Sequence, residues 1–160
     1  SRGVIMGYRS EVCIIVQMDR PEKPNEKHSD KTIKDWHLFI SELKVNPKCE
    51  EAMKILTAKD SFMDYGGIDM KNCSLCAHFE YVKWRDGDEW IGSFNYLFGL
   101  STQYCNDAKF GMSACFLRVG ENGDVERNTW GEEGDDLAYI TSPTIEMDWN
   151  AFNEKNKLLI

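Results

Sequence analysis

Cys73, Cys76 and His78 form the densest group of chemically capable side chains in the chain. A Cys-x-x-Cys pair can supply two of the four soft ligands that tetrahedral zinc requires. No second pair of that spacing follows, so Cys105 and Cys115 would have to complete the set through tertiary approach. Alternation along Leu75-Cys76-Ala77-His78-Phe79-Glu80-Tyr81-Val82-Lys83-Trp84 marks a strand. Leu75, Ala77, Phe79 and Tyr81 fall on one face, and Cys76, His78, Glu80, Val82 and Trp84 on the other. Cys73 then lies in the preceding turn. The expected reading is packing, with no metal site. A redox role is weaker, because a thiol needs a helix N-terminus or a cation to lower its pKa, and this pair leads into a strand.

Other chemistries find less support. Glu121, Asp124 and Glu126 offer oxygen ligands for calcium or magnesium but lack the alternating spacing and central glycine of an EF-hand loop. No Gly-x-Ser-x-Gly elbow is present to present a serine nucleophile. His28 falls in a polar loop and His37 on a helix, while His78 shares a strand face with Glu80, where a bridging pair is conceivable. Gly66-Gly67 lacks the lysine of a P-loop. Lys83 and Trp84, with Arg118 on a later strand, are the residues that could hold a nucleotide or a carboxylate, the indole by stacking and the cations by charge. No cofactor is implied.

The elements that must position these groups follow from periodicity. Val12 to Val16 is a continuous apolar run, expected as a strand covered on both faces. Asp19 to Ser29, with Pro21 and Pro24, reads as a loop. Asp30 is the expected N-cap of a helix whose buried stripe is Ile33, Trp36, Ile40 and Leu43. Asn46-Pro47 opens a second helix, with Glu50 and Glu51 in its positive first turn and Ala52, Met53 and Leu56 inside. Phe62 to Asn72 is ambiguous, a short strand and turn broken by Gly66-Gly67. A third helix is expected from Asp88 through Ile91, Phe94, Leu97 and Tyr104. Gly111 to Val119 and Asp124 to Trp130 form a hairpin across Asn122-Gly123, a pair suited to a type I′ turn. Gly131 to Asp136 is expected as an acidic loop, and Leu137 to Trp149 as a last extended segment bent by Pro143.

This order predicts an α+β two-layer sandwich: a largely antiparallel mixed sheet of about five strands with helices packed on it. One domain is expected over 6–149, with a tail over 150–160. Met6 reads as the natural start, with Ser1 to Ile5 a remnant or an upstream extension. No run approaches the roughly 20 apolar residues that span a bilayer, so no membrane association is expected. Six irregularly spaced cysteines do not resemble a disulfide scaffold and point to a reducing compartment.

The net charge of -8 is unevenly spread. The first half is nearly balanced; the excess gathers at Glu121, Asp124, Glu126, Glu132, Glu133, Asp135 and Asp136. Such a surface repels phosphates, so direct nucleic-acid binding is not expected. It suits a basic protein partner.

Three segments also carry a resemblance. Tyr8-Arg9-Ser10-Glu11-Val12, Phe79-Glu80-Tyr81-Val82-Lys83-Trp84 and Phe116-Leu117-Arg118-Val119-Gly120-Glu121 resemble a family of small bacteriophage and prophage proteins of uncharacterised function. Thr141 to Asp148 is similar to that family's closing strand, whereas Asp86 to Lys109 is longer and more aromatic than the pattern. The resemblance implies a phage accessory protein in the host bacterial cytoplasm and supplies no catalytic residues. The expected function is non-enzymatic binding to a host or defence protein through Glu121, Asp124, Glu132, Glu133, Asp135 and Asp136. The alternative is a small-ligand protein that sequesters or cleaves a nucleotide signal, with His78, Lys83, Trp84 and Arg118 around a pocket.

Overall fold

Burial on both faces makes Ser10–Met18 the centre of the molecule: every residue of this strand, β1, is buried. The computed structural model describes residues 9–140. After β1 come α1 (Asp30–Val45), a 3-10 turn over Pro47–Cys49, α2 (Glu50–Thr57), β2 (Tyr65–Asp69), β3 (Ser74–Val82), α3 (Glu89–Asn106), β4 (Met112–Gly120), β5 (Val125–Trp130) and α4 (Gly134–Ile140). The strands form one sheet of order β2-β3-β1-β4-β5, and all four pairings are antiparallel. The fold is an α+β sandwich of helices on an antiparallel sheet, as the element order predicts, and among the described residues no parallel pair gives it a mixed character.

Parity along β1 divides the core. Val12, Ile14, Val16 and Met18 meet Trp36, Phe39, Ile40 and Leu43 of α1, Ala52 and Leu56 of α2, and Phe94 and Leu97 of α3. Cys13 and Ile15 point the other way and pack with Cys115, Leu117, Leu137 and Ala138, so α4 covers the reverse face. Leu137 to Ile140 is therefore helical and not the start of an extended segment. Residues 6–8 of the expected domain, the rest of the expected closing strand and the 150–160 tail lie outside the described residues.

Local chemistry explains most boundaries. Ser29, one residue before the expected cap, accepts a hydrogen bond from the Thr32 N–H and starts α1. Asn46 caps the 3-10 turn by accepting from the Lys48 N–H at 3.0 Å. In the hairpin only Gly123 has positive φ, and its N–H donates to the Gly120 carbonyl. The connection is thus a three-residue loop, a type I turn closed by glycine, and not the two-residue type I′ turn that Asn122-Gly123 suggests.

Gly66 and Gly67 do not interrupt β2; both lie inside it at φ 138°. A Cβ on Gly66 would land on the Cys76 carbonyl of β3, so only glycine lets the edge strand approach. Gly123 has open space around it and needs only its positive φ. Gly66→Ala is expected to cost about 1–3 kcal/mol, and Gly123→Ala about 1 kcal/mol. Urea denaturation of the two variants side by side checks the order; equal losses would contradict it.

Candidate partner-binding surface

Strand β3 carries an irregularity that decides where its chemical groups go. Val12 pairs with Phe79, but Ser10 pairs with Val82, so Glu80 and Tyr81 together oppose Glu11. This β-bulge is held by Asp64, whose carboxylate accepts the Glu80 N–H at 2.7 Å while its N–H donates to the His78 carbonyl. One extra residue reverses the alternation. Val82 and Trp84, expected on the His78 face, instead join the helix-side core, and Tyr81 turns out to solvent.

The expected ligand group is thereby divided. Trp84 and Arg118 share a cleft of about 310 Å³ between β5 and α3, floored by Phe98 and Phe116. Asn95, Asn128, Asp86 and Glu126 complete its wall. The Trp84 and Phe116 rings lie 5.9 Å apart. Arg118 donates from Nε to Glu126 at 3.2 Å and from Nη1 to the Ser10 hydroxyl at 3.3 Å. Lys83 does not line this cleft, and His78 lies on the opposite face of the sheet.

His78 is 1% exposed, and its Nε2 is 2.8 Å from Glu11 Oε2. The partner carboxylate is Glu11 and not Glu80, a cross-strand pairing that spacing within one strand could not reveal. Cys76 and Cys115 flank Ile15 in the next row of the same face. Cys73 is buried in the helix-side core, across the sheet from Cys76, so the two cannot hold one ion. Among the described residues no group of histidine, cysteine, aspartate or glutamate is placed to bind a metal. All six cysteines are free. Burial pushes the thiols of Cys73 up to about 11 and of Cys115 up to about 12. Cys13 is raised by its hydrogen bond with Cys76 and by burial. Protonated thiols are poor nucleophiles, so burial disfavours attack by Cys13, Cys73 and Cys115.

The six acidic candidates separate into two groups. Glu121 and Asp124 sit at the β4–β5 turn, where Glu121 accepts the Arg9 N–H and Asp124 accepts from the Asn122 amide. Glu132, Glu133, Asp135 and Asp136 sit beyond the far end of β5, about 17 Å away at the usual rise of a strand. Glu133 has a structural job: it accepts from Gln17 Nε2 at 3.0 Å and from the Arg20 N–H at 3.1 Å. Its own N–H donates to Ser113, whose hydroxyl donates to Asp19 at 2.5 Å. Burial holds the Asp19 carboxyl above its usual pKa, with the Ser113 bond opposing. Asp135 accepts from Thr129 at 2.9 Å in the first turn of α4, where negative charge suits the helix dipole. Glu132 and Asp136 are exposed, with no such side-chain tie among the described residues.

Between these two acidic ends runs β5, exposed along most of its length and, among the described residues, paired on one side alone. Val125 is 46% and Trp130 39% exposed. Sequence reasoning marked the hairpin but not its uncovered edge, nor Asn95, Phe98 and Asn128 beside it. No protein-family model, curated protein or solved structure matches this chain.

His78→Ala is expected to destabilise the fold by about 3–5 kcal/mol, because it strands the buried Glu11 carboxylate. Chemical denaturation measures this; a loss below about 1 kcal/mol would show the pair to be dispensable.

Proposed function

We propose that this chain is a bacteriophage accessory protein that acts in the host bacterial cytoplasm by binding a basic host or defence protein, without catalysis. The observation that carries the reading is the exposed strand β5 with acidic groups at both ends. At physiological salt the Debye length is about 8 Å, so charges about 17 Å apart do not merge into one field. A partner gains from both ends only by spanning them. The buried, protonated thiols and the enclosed Glu11–His78 pair support a recognition role over a catalytic one. No helix among the described residues is long and apolar enough to cross a membrane.

A protein retained from bacterial lysate, once identified and purified, is expected to bind with an affinity that falls about fivefold or more between about 50 and about 300 mM salt. The triple variant Asp124→Lys, Glu132→Lys, Asp136→Lys should lose at least about tenfold, with its melting temperature little changed. Salt-independent binding that survives charge reversal would overturn the reading.

A second reading rests on the aromatic cleft. Trp84 and Phe116 could stack a base while Arg118, released from its half-exposed partner Glu126, meets a phosphate. Exposed ion pairs contribute about 0–1 kcal/mol, so that exchange costs little. A sequestered nucleotide at about 100 times its Kd would add about 2.7 kcal/mol of stability. Thermal-shift measurements across a nucleotide panel should then show a rise that Arg118→Ala removes. No shift with any member sinks this second reading.

A further inference from the structure

We infer that β5 receives an extended basic segment of the partner as a sixth strand, with one large apolar side chain of that segment seated in the cleft between β5 and α3. This rests on the protein-binding reading above and specifies its partner's chemistry.

Among the described residues this edge has no second strand, and its outward hydrogen-bonding groups follow a known pattern. The Gly120 N–H donates to the Asp124 carbonyl, which fixes Gly120 and Asp124 as a bonded pair. Antiparallel ladders alternate, so Arg118–Glu126 and Phe116–Asn128 are also bonded pairs. Val125 and Arg127, between them, therefore aim N–H and C=O away from β4. These are the groups that an added strand uses.

The cleft lies on the correct side. Glu126 and Asn128 oppose Arg118 and Phe116, so their side chains share the helix-side face with Trp84 and Phe98. Side chains of an added strand point alternately to the two faces. One that falls beside Asn128 on the helix side meets the Phe98 and Phe116 rings, and the cleft's roughly 310 Å³ admits a large apolar or aromatic group. Neighbouring lysines or arginines of the same segment then run toward the two acidic ends.

The length of β5 matches this occupant. A strand of the same rise covers the roughly 17 Å between the acidic ends with about five or six residues. Charge complementarity excludes a second copy of this chain as the favoured occupant, because two such edges would bring Glu126 and the acidic ends of both copies together.

The test uses the full chain and a displayed library of random ten-residue peptides. Enriched sequences are expected to alternate basic residues with apolar ones and to include a large apolar or aromatic residue. A blocked synthetic peptide of the leading sequence should lose at least about tenfold in affinity when its backbone is N-methylated at alternate positions, because pairing with the edge is then blocked. Arg127→Pro is the matching variant: it removes an outward N–H without removing a bond to β4. Phe98→Ala, which leaves the backbone intact, should cost at least about fivefold and keep the fold if the Arg127→Pro protein does not.

Enrichment of nothing, or of peptides without basic bias, would overturn the inference. So would equal affinity for the N-methylated peptide. A dimer in sedimentation equilibrium that Arg127→Pro dissolves would assign the edge to a second copy and overturn it as well. Charge reversal that abolishes binding while N-methylation and Phe98→Ala do not would refute strand addition and leave the broader protein-binding reading standing.

Discussion

The whole molecule depends on a strand that has no exposed side. β1 is bonded to β3 on one flank and β4 on the other, and its two faces serve two different cores. A slip of one residue would drive Glu11, Cys13, Ile15 and Gln17 into the helix side and Val12, Ile14 and Val16 under α4. Its two polar ends oppose that slip. Glu11 finds His78, and Gln17 finds Glu133, each a partner distant in the chain and available only in the native register. Both leave one buried side-chain oxygen without a hydrogen bond among the described residues, so these contacts secure placement at some cost in stability.

Periodicity revealed the parts that repeat. The α1 stripe of Trp36, Ile40 and Leu43 and the inner face of α2 are both present, because each side of those helices meets a single environment. The α+β class follows from them. The central, doubly covered strand was equally visible in Val12 to Val16, since no solvated face interrupts its apolar run.

What escaped the sequence depends on tertiary approach. The bulge at Glu80-Tyr81 leaves no local mark, because both residues suit an ordinary strand and the anchor, Asp64, comes from another segment. Gly66-Gly67 read as a break because glycine is usually found in turns, yet here the absent Cβ serves close pairing. The acidic residues looked like one surface because they crowd together in sequence; a hairpin carries its turn and its exit to opposite ends of a strand. Glu133 looked like its neighbours, and only the fold shows that its carboxylate is spent on Gln17 and Arg20.

The bulge in β3 has an arithmetic consequence. Up to Phe79 the odd-numbered side chains look toward the helices; beyond the extra residue the even-numbered ones do. In a strand of this length Trp84 joins Phe98 and Phe116 beside β5 only because the bulge takes up one residue; unbroken alternation over the same residues would turn it to the other face. A homologous chain lacking Glu80 would pair without the bulge, keep Val82 opposite Ser10 and leave Trp84 on the helix side, so the gap in an alignment would mark a lost kink and not a lost cleft.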